Sequence, residues 1–314
     1  MTPVANRADN NAQVHVVIPV FNGWEQTEVC LQALKKSPLY HRLCIVIVDH
    51  GSTDATKTAL PAGYPEITHL LGDPTLWWTG AVNLGIRSAI ADGAEQIMLL
   101  NNDCYIAPDM VERLLAHASH NPTAIIAPVQ KDYATGKVVF DVATTCFALG
   151  FTTLIPPRAL AKPANDTLCS TKLIIGGRGV LIPRDILRRV GPFDEINLPH
   201  YGADHDFYLR CRKQGISLFT ALDAVVYVDS DKTTLATRLG ALSMTEFIVT
   251  LRSRRSHRNV HDLVTLFRKH YPLRGFHYVG VALNLVRYAI RYLFERAKHI
   301  IFLPSRNSNA RAEK

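Results

Sequence analysis

The most familiar phosphate-binding signatures are missing from this chain of 314 residues: no GxGxxG follows the first strand-like run, and no GxxxxGKS/T occurs anywhere. The usual dinucleotide and P-loop motifs are thereby excluded, and a nucleotide would have to be held by carboxylates and loop amides instead. Cysteine is scarce and scattered. The six, at positions 30, 44, 104, 146, 169 and 211, form no CxxC pair and no compact ligand spacing, so they read as ordinary thiols of a reducing compartment. No apolar segment precedes residue 14, which leaves no secretory signal-peptide pattern and makes residues 1–13 a flexible lead. Helix-turn-helix, zinc-finger and RNA-binding signatures are absent too, and with them the case for a nucleic-acid partner. There are no internal repeats and no low-complexity tract.

What is present is the composition of a folded protein, 47 % apolar and 20 % charged, long enough to bury a substantial core. Its net charge of +8 is unevenly placed. Between Arg252 and Lys298 eleven Lys/Arg stand against two acids, Asp262 and Glu295, a local net of +9 that leaves −1 for the rest. A basic region at one end points to an anionic partner such as a membrane surface. The segment after residue 274 is apolar, but Arg287 and Arg291 interrupt it. Its uncharged stretch, 275–286, has 12 residues, against the roughly 20 of a membrane span. Tyrosines and arginines alternating with large aliphatics fit a helix lying in a membrane interface; packing on its own domain or on a second copy of the chain is the other reading.

Up to residue 120, Val/Ile/Leu-rich runs alternate with amphipathic segments. This predicts strands at 14–20, 43–49, 67–71 and 97–101, with helices at 25–37, shortly after 54, at 81–92 and at 108–120. Strands so continuously apolar imply cover on both faces, hence a largely parallel α/β sheet. Beyond lie a strand at 124–130, a hairpin across 132–142, a Pro-rich loop at 156–166, two short strands within 171–183 and a helix at 184–190. A loop then enters a helix that Gly215 ends, and strands follow at 217–220 and 225–228. From 236 the pattern is helical, broken near 271–275 by Pro272 and Gly275.

Ligands of open parallel sheets collect beyond the carboxyl ends of the strands. Three of those ends carry polar signatures: Pro19-Val20-Phe21-Asn22, Asp49-His50-Gly51-Ser52-Thr53-Asp54, and Asn101-Asn102-Asp103. Asp49 is placed to accept from a base N–H or a ribose hydroxyl, whereas Ser52 and Asp54 suit a helix cap. Asp103, after four apolar residues, could be bridged by Mg²⁺ or Mn²⁺ to a diphosphate; a turn or cap is the ordinary alternative. Asp204 and Asp206 are two residues apart and cannot share one helical face. Asp204, nearer the loop, suits a general base, with His205 as the other candidate, and Asp206 suits the helix start. Trp77 and Trp78 read as loop aromatics, able to stack on a sugar or base or to pack on the sheet. Gly176, Gly177 and Gly179 around Arg178 either let a substrate approach the backbone or form a bulge.

In their order, the stretches VVIPVFN, IVIVDHGSTDAT, LWWTGAVNLGIRSAI, IMLLNNDCYIAPDM, IIGGRGVLIPRDILRRVGPFDE and ADHDFYLRCRKQG resemble glycosyltransferase family 2, over about residues 14–229. The likeness is greatest to its bacterial rhamnosyltransferase-like and galactofuranosyltransferase-like branch. It implies an α/β protein of the GT-A nucleotide-diphospho-sugar transferase fold, with a mostly parallel central sheet covered by helices. The catalytic domain would span 14–235, with a nucleotide-binding half at about 14–120 and an acceptor-binding half at about 121–235. A basic helical extension at 236–302 and a flexible tail at 303–314 would follow.

The same resemblance implies that Pro19, Val20, Asn22 and Asp49 surround the nucleoside, with Trp78, Asn83, Asn101 and Asn102 also on the donor side. Asp103 would be the metal-binding acid, with Mg²⁺ or Mn²⁺ as cofactor. Asp204 would be the general base of an inverting displacement, and Gly177, Arg178, His205 and Asp206 would face the acceptor. The implied donor is a dTDP- or UDP-linked sugar, a rhamnose or a galactose form. The implied acceptor is a glycan, polyprenyl-diphosphate-linked, reached from the cytoplasmic face of a bacterial membrane through the anionic surface that 252–298 would contact. Two departures stand out: Ala203 takes the place of the family's glutamate, and Asp229 stands where many relatives have a histidine near the metal. Asp229 could ligate a hard cation or sit in a turn. A metal-dependent nucleotidyltransferase, or a degenerate protein without activity, are the competing readings.

Overall fold

The computed structural model describes residues 14–156, 167–229 and 239–301. The expected lead at 1–13, most of the Pro-rich loop and the expected tail lie outside the described residues. The described residues fall into two compact units, one within 14–146 and 152–229 and a second of 147–151 with 239–301.

The first unit begins as four parallel strands: β1 (Val14–Val20), β2 (Leu43–Asp49), β3 (Thr68–Leu71) and β4 (Gln96–Leu100), side by side in the order β3-β2-β1-β4. Their Val/Ile/Leu runs are buried because helices cover both faces. α1 (Trp24–Lys35) buries Cys30, Leu31 and Leu34, and α2 (Thr56–Gly63) buries Leu60. α3 (Trp77–Ala91) lies so close to the sheet that a Cβ on Gly85 would run into Val17 and Val48. β5 (Cys104–Ile106) and α4 (Met110–His120) follow, the helix burying Met110, Val111, Leu114 and Ala118 along one stripe.

The remaining strands extend the sheet beyond β4 with mixed direction. β6 (Ile125–Asp132) and β7 (Val138–Phe140) form the expected hairpin; β8 (Thr144–Cys146) and β9 (Phe151–Leu154) make a small separate sheet. β10 (Leu168–Ser170) and β11 (Arg178–Pro183) are joined by α5 (Arg184–Val190), α6 (Ala203–Lys213) and β12 (Leu218–Val228) to give the order β10-β12-β6-β11-β4. β11 runs antiparallel to both β4 and β6, and β12 runs parallel to β6.

Four local expectations change. α3 starts four residues before position 81, with Trp77 at its entry in a positive-φ conformation (φ 50°) and Trp78 in its first turn, because Thr79 is tied by its N–H to Pro199 O (3.0 Å) and by its hydroxyl to Leu198 O (2.7 Å). The two strands at 217–220 and 225–228 are one, β12, whose register against β6 slips between Ala221 and Val225. That bulge turns Asp223 toward His117 Nε2 (2.9 Å) and Arg113 Nη1 (3.4 Å), which explains the polar break in the sequence pattern. Within 171–183 only β11 is a strand, Leu173 making a lone bridge to Ala143. β5, three residues long, is too short to show any alternation and was not expected.

The second unit holds α7 (Met244–Arg252), α8 (Val260–His270) and α9 (His277–Ile301). α7 opens with a capping box, Ser243 with Glu246, and Asn259 caps α8 through Asp262 N–H (3.1 Å). The break between α8 and α9 falls at 271–276, around Pro272 and Gly275. Among the described residues no helix is long and apolar enough to cross a membrane.

Candidate active site

The order β3-β2-β1-β4 places a topological switch point between β1 and β4, and the polar strand ends open onto that crevice. Asn22, just past β1, adopts φ 60°, a left-handed conformation that asparagine tolerates. Its Oδ1 accepts from Thr53 N–H (2.7 Å) and Asp54 N–H (3.3 Å), while its own N–H donates to Ser52 Oγ (2.7 Å). Asn22 thus holds the loops after β1 and β2 together. Asp49, 3 % exposed, accepts from Ser52 N–H (2.8 Å) and Gly51 N–H (3.2 Å) through Oδ1, and its Oδ2 lies 3.9 Å from His69 Nε2. Only Oδ2 is placed to meet a ligand. Asp54 bonds Trp24 N–H (3.1 Å) and Thr56 N–H (3.0 Å), an anchoring role. Pro19 and Val20 sit at the buried end of β1, Val20 O accepting from His50 N–H (3.0 Å). Phe21, 43 % exposed and stacked on His50 with ring centroids 5.4 Å apart, offers an aromatic face here that motif reading missed.

The Asn101-Asn102-Asp103 turn divides its labour. Asn101 Oδ1 accepts from the Trp78 indole N–H (3.0 Å), and Asn102 Nδ2 donates to Thr27 Oγ1 (2.9 Å) and Asn22 O (3.5 Å). Asp103 alone of the three is exposed, its Oδ1 taking only the Cys104 thiol at 3.5 Å. In the antiparallel ladder of β5 and β12, Val228 pairs with Cys104, so Asp103 and Asp229 are the next residues beyond the same paired end. Burial, and then the charges of Asp103 and Asp229, push the Tyr105 hydroxyl up. Two carboxylates brought to one edge form an all-oxygen donor set, which suits a hard divalent cation.

Across the crevice, β11 pairs Arg178 with Leu100, and its register slips between Arg178 and Val180, the bulge the glycines allow. A Cβ on Gly177 would stand 3.0 Å from Trp78 Cζ2. Arg178 Nη1 donates to Gln130 Oε1 (2.9 Å), and Gln130 is held in turn by Ile175 O (2.9 Å). Asp204, in the first turn of α6, accepts from Gly176 N–H (2.8 Å) through Oδ2 and lies 3.0 Å from His205 Nδ1 through Oδ1. Burial alone would raise this carboxyl, but His205, with its hydrogen bond and that of Gly176, brings it down to about 2. Burial pulls His205 the other way, and the Asp204 carboxylate overrides it, leaving the imidazole raised. His205 Nε2 reaches Thr153 Oγ1 at 2.9 Å. The ring is 15 % exposed and oriented at both nitrogens.

Tyr201, 37 % exposed, stands just ahead of α6. Its hydroxyl is shifted up by burial first, with Arg178 opposing and both Asp204 and Asp103 adding to the rise. The three charged groups from β11, α6 and the β4–β5 turn therefore all act electrostatically on one phenol. Sequence reading missed Tyr201; an aromatic two residues before the helix that bears the expected base was the available signal.

Two expected contacts are structural in this fold. Asp206, expected toward the acceptor, is 0 % exposed and bonded to Arg210 Nε at 2.9 Å, while Arg210 also donates to Val190 O (2.8 Å) and Pro192 O (2.6 Å). Breaking such a buried pair costs about 3–5 kcal/mol, which marks Asp206 as an anchor of α6. Asn83, expected toward the donor, is 3 % exposed and spends its amide on Phe193 O (2.9 Å), Glu195 Oε2 (2.8 Å) and Phe193 N–H (3.0 Å). It fastens α3 to the loop that precedes α6. Ala203, 1 % exposed, fills the position of the absent glutamate.

Carboxylates at the ends of parallel strands, beside a switch-point crevice and without a P-loop, are an arrangement that an α/β nucleotide-sugar transferase can use. The family profile of glycosyl transferase family 2 matches residues 15–190, more than half of the chain, and the protein belongs to that family. A Mycobacterium tuberculosis protein described as uncharacterized is 27 % identical over 217 residues, 65 % of this chain and 69 % of its own. Among solved structures, GalNAc-T7 with UDP, GalNAc and Mn²⁺ superposes with TM-score 0.60 at 13 % identity, over 92 % of this chain and 56 % of that one. This chain thus matches little more than half of that protein's length. Mannosyltransferase PcManGT from Pyrobaculum calidifontis, with GDP-Man and Mn²⁺, gives TM-score 0.55 at 17 % identity, over 92 % and 75 % of the two chains. The fold is GT-A.

Proposed function

We propose that this protein is a metal-dependent inverting glycosyltransferase, moving a sugar from a dTDP- or UDP-linked donor to a hydroxyl of a glycan acceptor. The observation that carries this is Asp103 at the strand ends beside the switch point, together with Asp204 held at the start of α6 by Gly176 N–H (2.8 Å) and His205 Nδ1 (3.0 Å). Phe21, Asn22 and Asp49 line the nucleoside end. Asp103, with Asp229 beyond the same paired end, would hold Mg²⁺ or Mn²⁺, whose charge when bound neutralises the departing diphosphate. Asp204 takes the proton of the acceptor hydroxyl. The acceptor oxygen then bonds to the anomeric carbon as the bond to the diphosphate oxygen breaks and its electron pair leaves with the phosphate. Positioning and charge supply the catalysis, with Arg178, held by Gln130, on the acceptor side. GT-A structures holding UDP or GDP-Man with Mn²⁺ support this reading.

The test is a thermal-stability screen of nucleotide sugars with Mn²⁺ or Mg²⁺, run beside the nucleoside diphosphates. One intact donor at about 100-fold its Kd should add about 2.7 kcal/mol, and a chelator should remove the gain. No stabilisation by any nucleotide sugar, or turnover of nucleoside triphosphates instead, overturns the proposal.

The proposal extends to a lipid-linked, polyprenyl-diphosphate acceptor at the inner face of the cytoplasmic membrane, with the second unit lying on the anionic surface. On α9, Val279, Leu283, Val286, Ile290, Leu293, Phe294 and Ile300 are all exposed, and Arg291 and Lys298 beside them are exposed cations. A wide apolar stripe flanked by positive charge fits an interfacial helix; a second copy would set like charges together. Arg287 is a poor probe because it packs on Phe151, 4.1 Å from the ring centroid. Replacing Arg291 and Lys298 with Gln should reduce sedimentation with phosphatidylserine vesicles and spare a neutral-vesicle background. Equal sedimentation of variant and parent, or a concentration-dependent dimer in its place, removes the membrane role.

A further inference from the structure

A second group of ligand-type side chains lies at the other end of the sheet and takes no part in the crevice. His15 on β1 and Cys44 on β2 are in-register partners of the parallel pair, so their side chains leave the same face side by side. Asp92, the C-cap of α3, is fixed there by its N–H to Ile90 O and Ser88 O. One donor atom from each of His15, Cys44 and Asp92 falls within 4.8 Å of the others. Three separate elements thus aim nitrogen, sulfur and oxygen at one point.

We propose that His15, Cys44 and Asp92 form a Zn²⁺ site with three protein ligands and a fourth, open position. Zn²⁺ takes this mixed imidazole, thiolate and carboxylate set, whereas Mg²⁺ and Mn²⁺ prefer oxygen. The geometry is nearly in place. Adjacent ligands of a tetrahedral zinc stand about 3.3 Å apart for nitrogen and oxygen and about 3.5 Å for nitrogen and sulfur, by the usual bond lengths. His15 Nε2 and Asp92 Oδ2 are already 2.9 Å apart, and Cys44 Sγ has to close in by no more than about 1.3 Å. A second observation concerns the ring itself: His15 is 2 % exposed, and its Nδ1 has no hydrogen-bond partner. The imidazole is held by Asp92 alone, so a cation can replace the proton they share without breaking any other bond of the ring. Binding would release the Cys44 thiol proton and pin β1, β2 and α3 together at the base of the sheet.

This site is separate from the cation proposed for Asp103. His15 lies five residues before Val20 on β1, about 16 Å along the strand. Its test does not rest on glycosyl transfer. The full-length protein, dialysed against a weak chelator after loading with Zn²⁺, should retain about one equivalent by elemental analysis. Co²⁺ substitution should give a thiolate-to-cobalt charge-transfer band in the near ultraviolet. Cys44→Ser should abolish the band, and Asp92→Ala, a change at an exposed cap, should lower zinc affinity 10-fold or more. Asp103→Ala should keep both zinc and the band. Failure of the parent protein to retain zinc, a cobalt spectrum without the thiolate band, or unchanged affinity in Asp92→Ala each overturns the proposal. Loss of the proposed donor binding with zinc retained would count against the transferase reading only.

Discussion

Asp204→Asn is expected to lower glycosyl transfer on the order of 10³-fold, the usual contribution of a general base, while Mn²⁺-dependent donor binding stays within a factor of two or so. Asparagine keeps an oxygen for Gly176 N–H, so the α6 start should remain folded. Transfer at parental rates would eliminate Asp204 as the base. The pair with His205 adds a pH signature. Asp204 is depressed from 3.8 to about 2, so its contribution to stability is present above about pH 4 and is lost as pH falls through 2. His205 is raised above 6.5, so its contribution is complete below 6.5 and is lost as pH rises through the folded value. In that same alkaline window the imidazole loses the charge that weakens Asp204 as a proton acceptor. Transfer should therefore climb with pH above 6.5 while thermal stability declines, and His205→Gln should flatten both curves. A variant that keeps the climb would show that His205 does not tune the base.

Asp103→Ala should raise the donor Kd on the order of 100-fold in Mn²⁺, about 2.7 kcal/mol, and leave the weak binding in chelator unchanged. The reason is position. Asn101 and Asn102 are tied to Trp78 and Thr27, so Asp103 is the member of the turn that presents charge to the crevice. Asp229, beyond the same paired end of the β5–β12 ladder, should show a smaller effect when changed to Asn, and the double variant should no longer distinguish Mn²⁺ from chelator. Calorimetry separates these cases. Parental affinity of Asp103→Ala in Mn²⁺ would end the bridging role.

The sequence by itself settled the four parallel strands, β1 and β2 to the residue, because their apolar runs are long and end at polar turns that cannot continue a strand. It also settled the family, since several short motifs in one order are more specific than any of them alone. It could not show what a polar side chain does once the chain is folded. Asn83 and Asp206 carry the chemistry of ligand contacts, yet burial commits both to holding helices, because an amide or carboxylate removed from water must be bonded wherever the fold allows. Nor could periodicity find β5, the bulge in β12, or the closeness in the fold of Asp103 and Asp229, which follow the paired end of two antiparallel strands distant in sequence. The same holds for His15, Cys44 and Asp92, whose spacing in the chain resembles no metal motif. Residue types set which reactions were open to this protein, and strand order and register decided which of those residues stand close enough to act together.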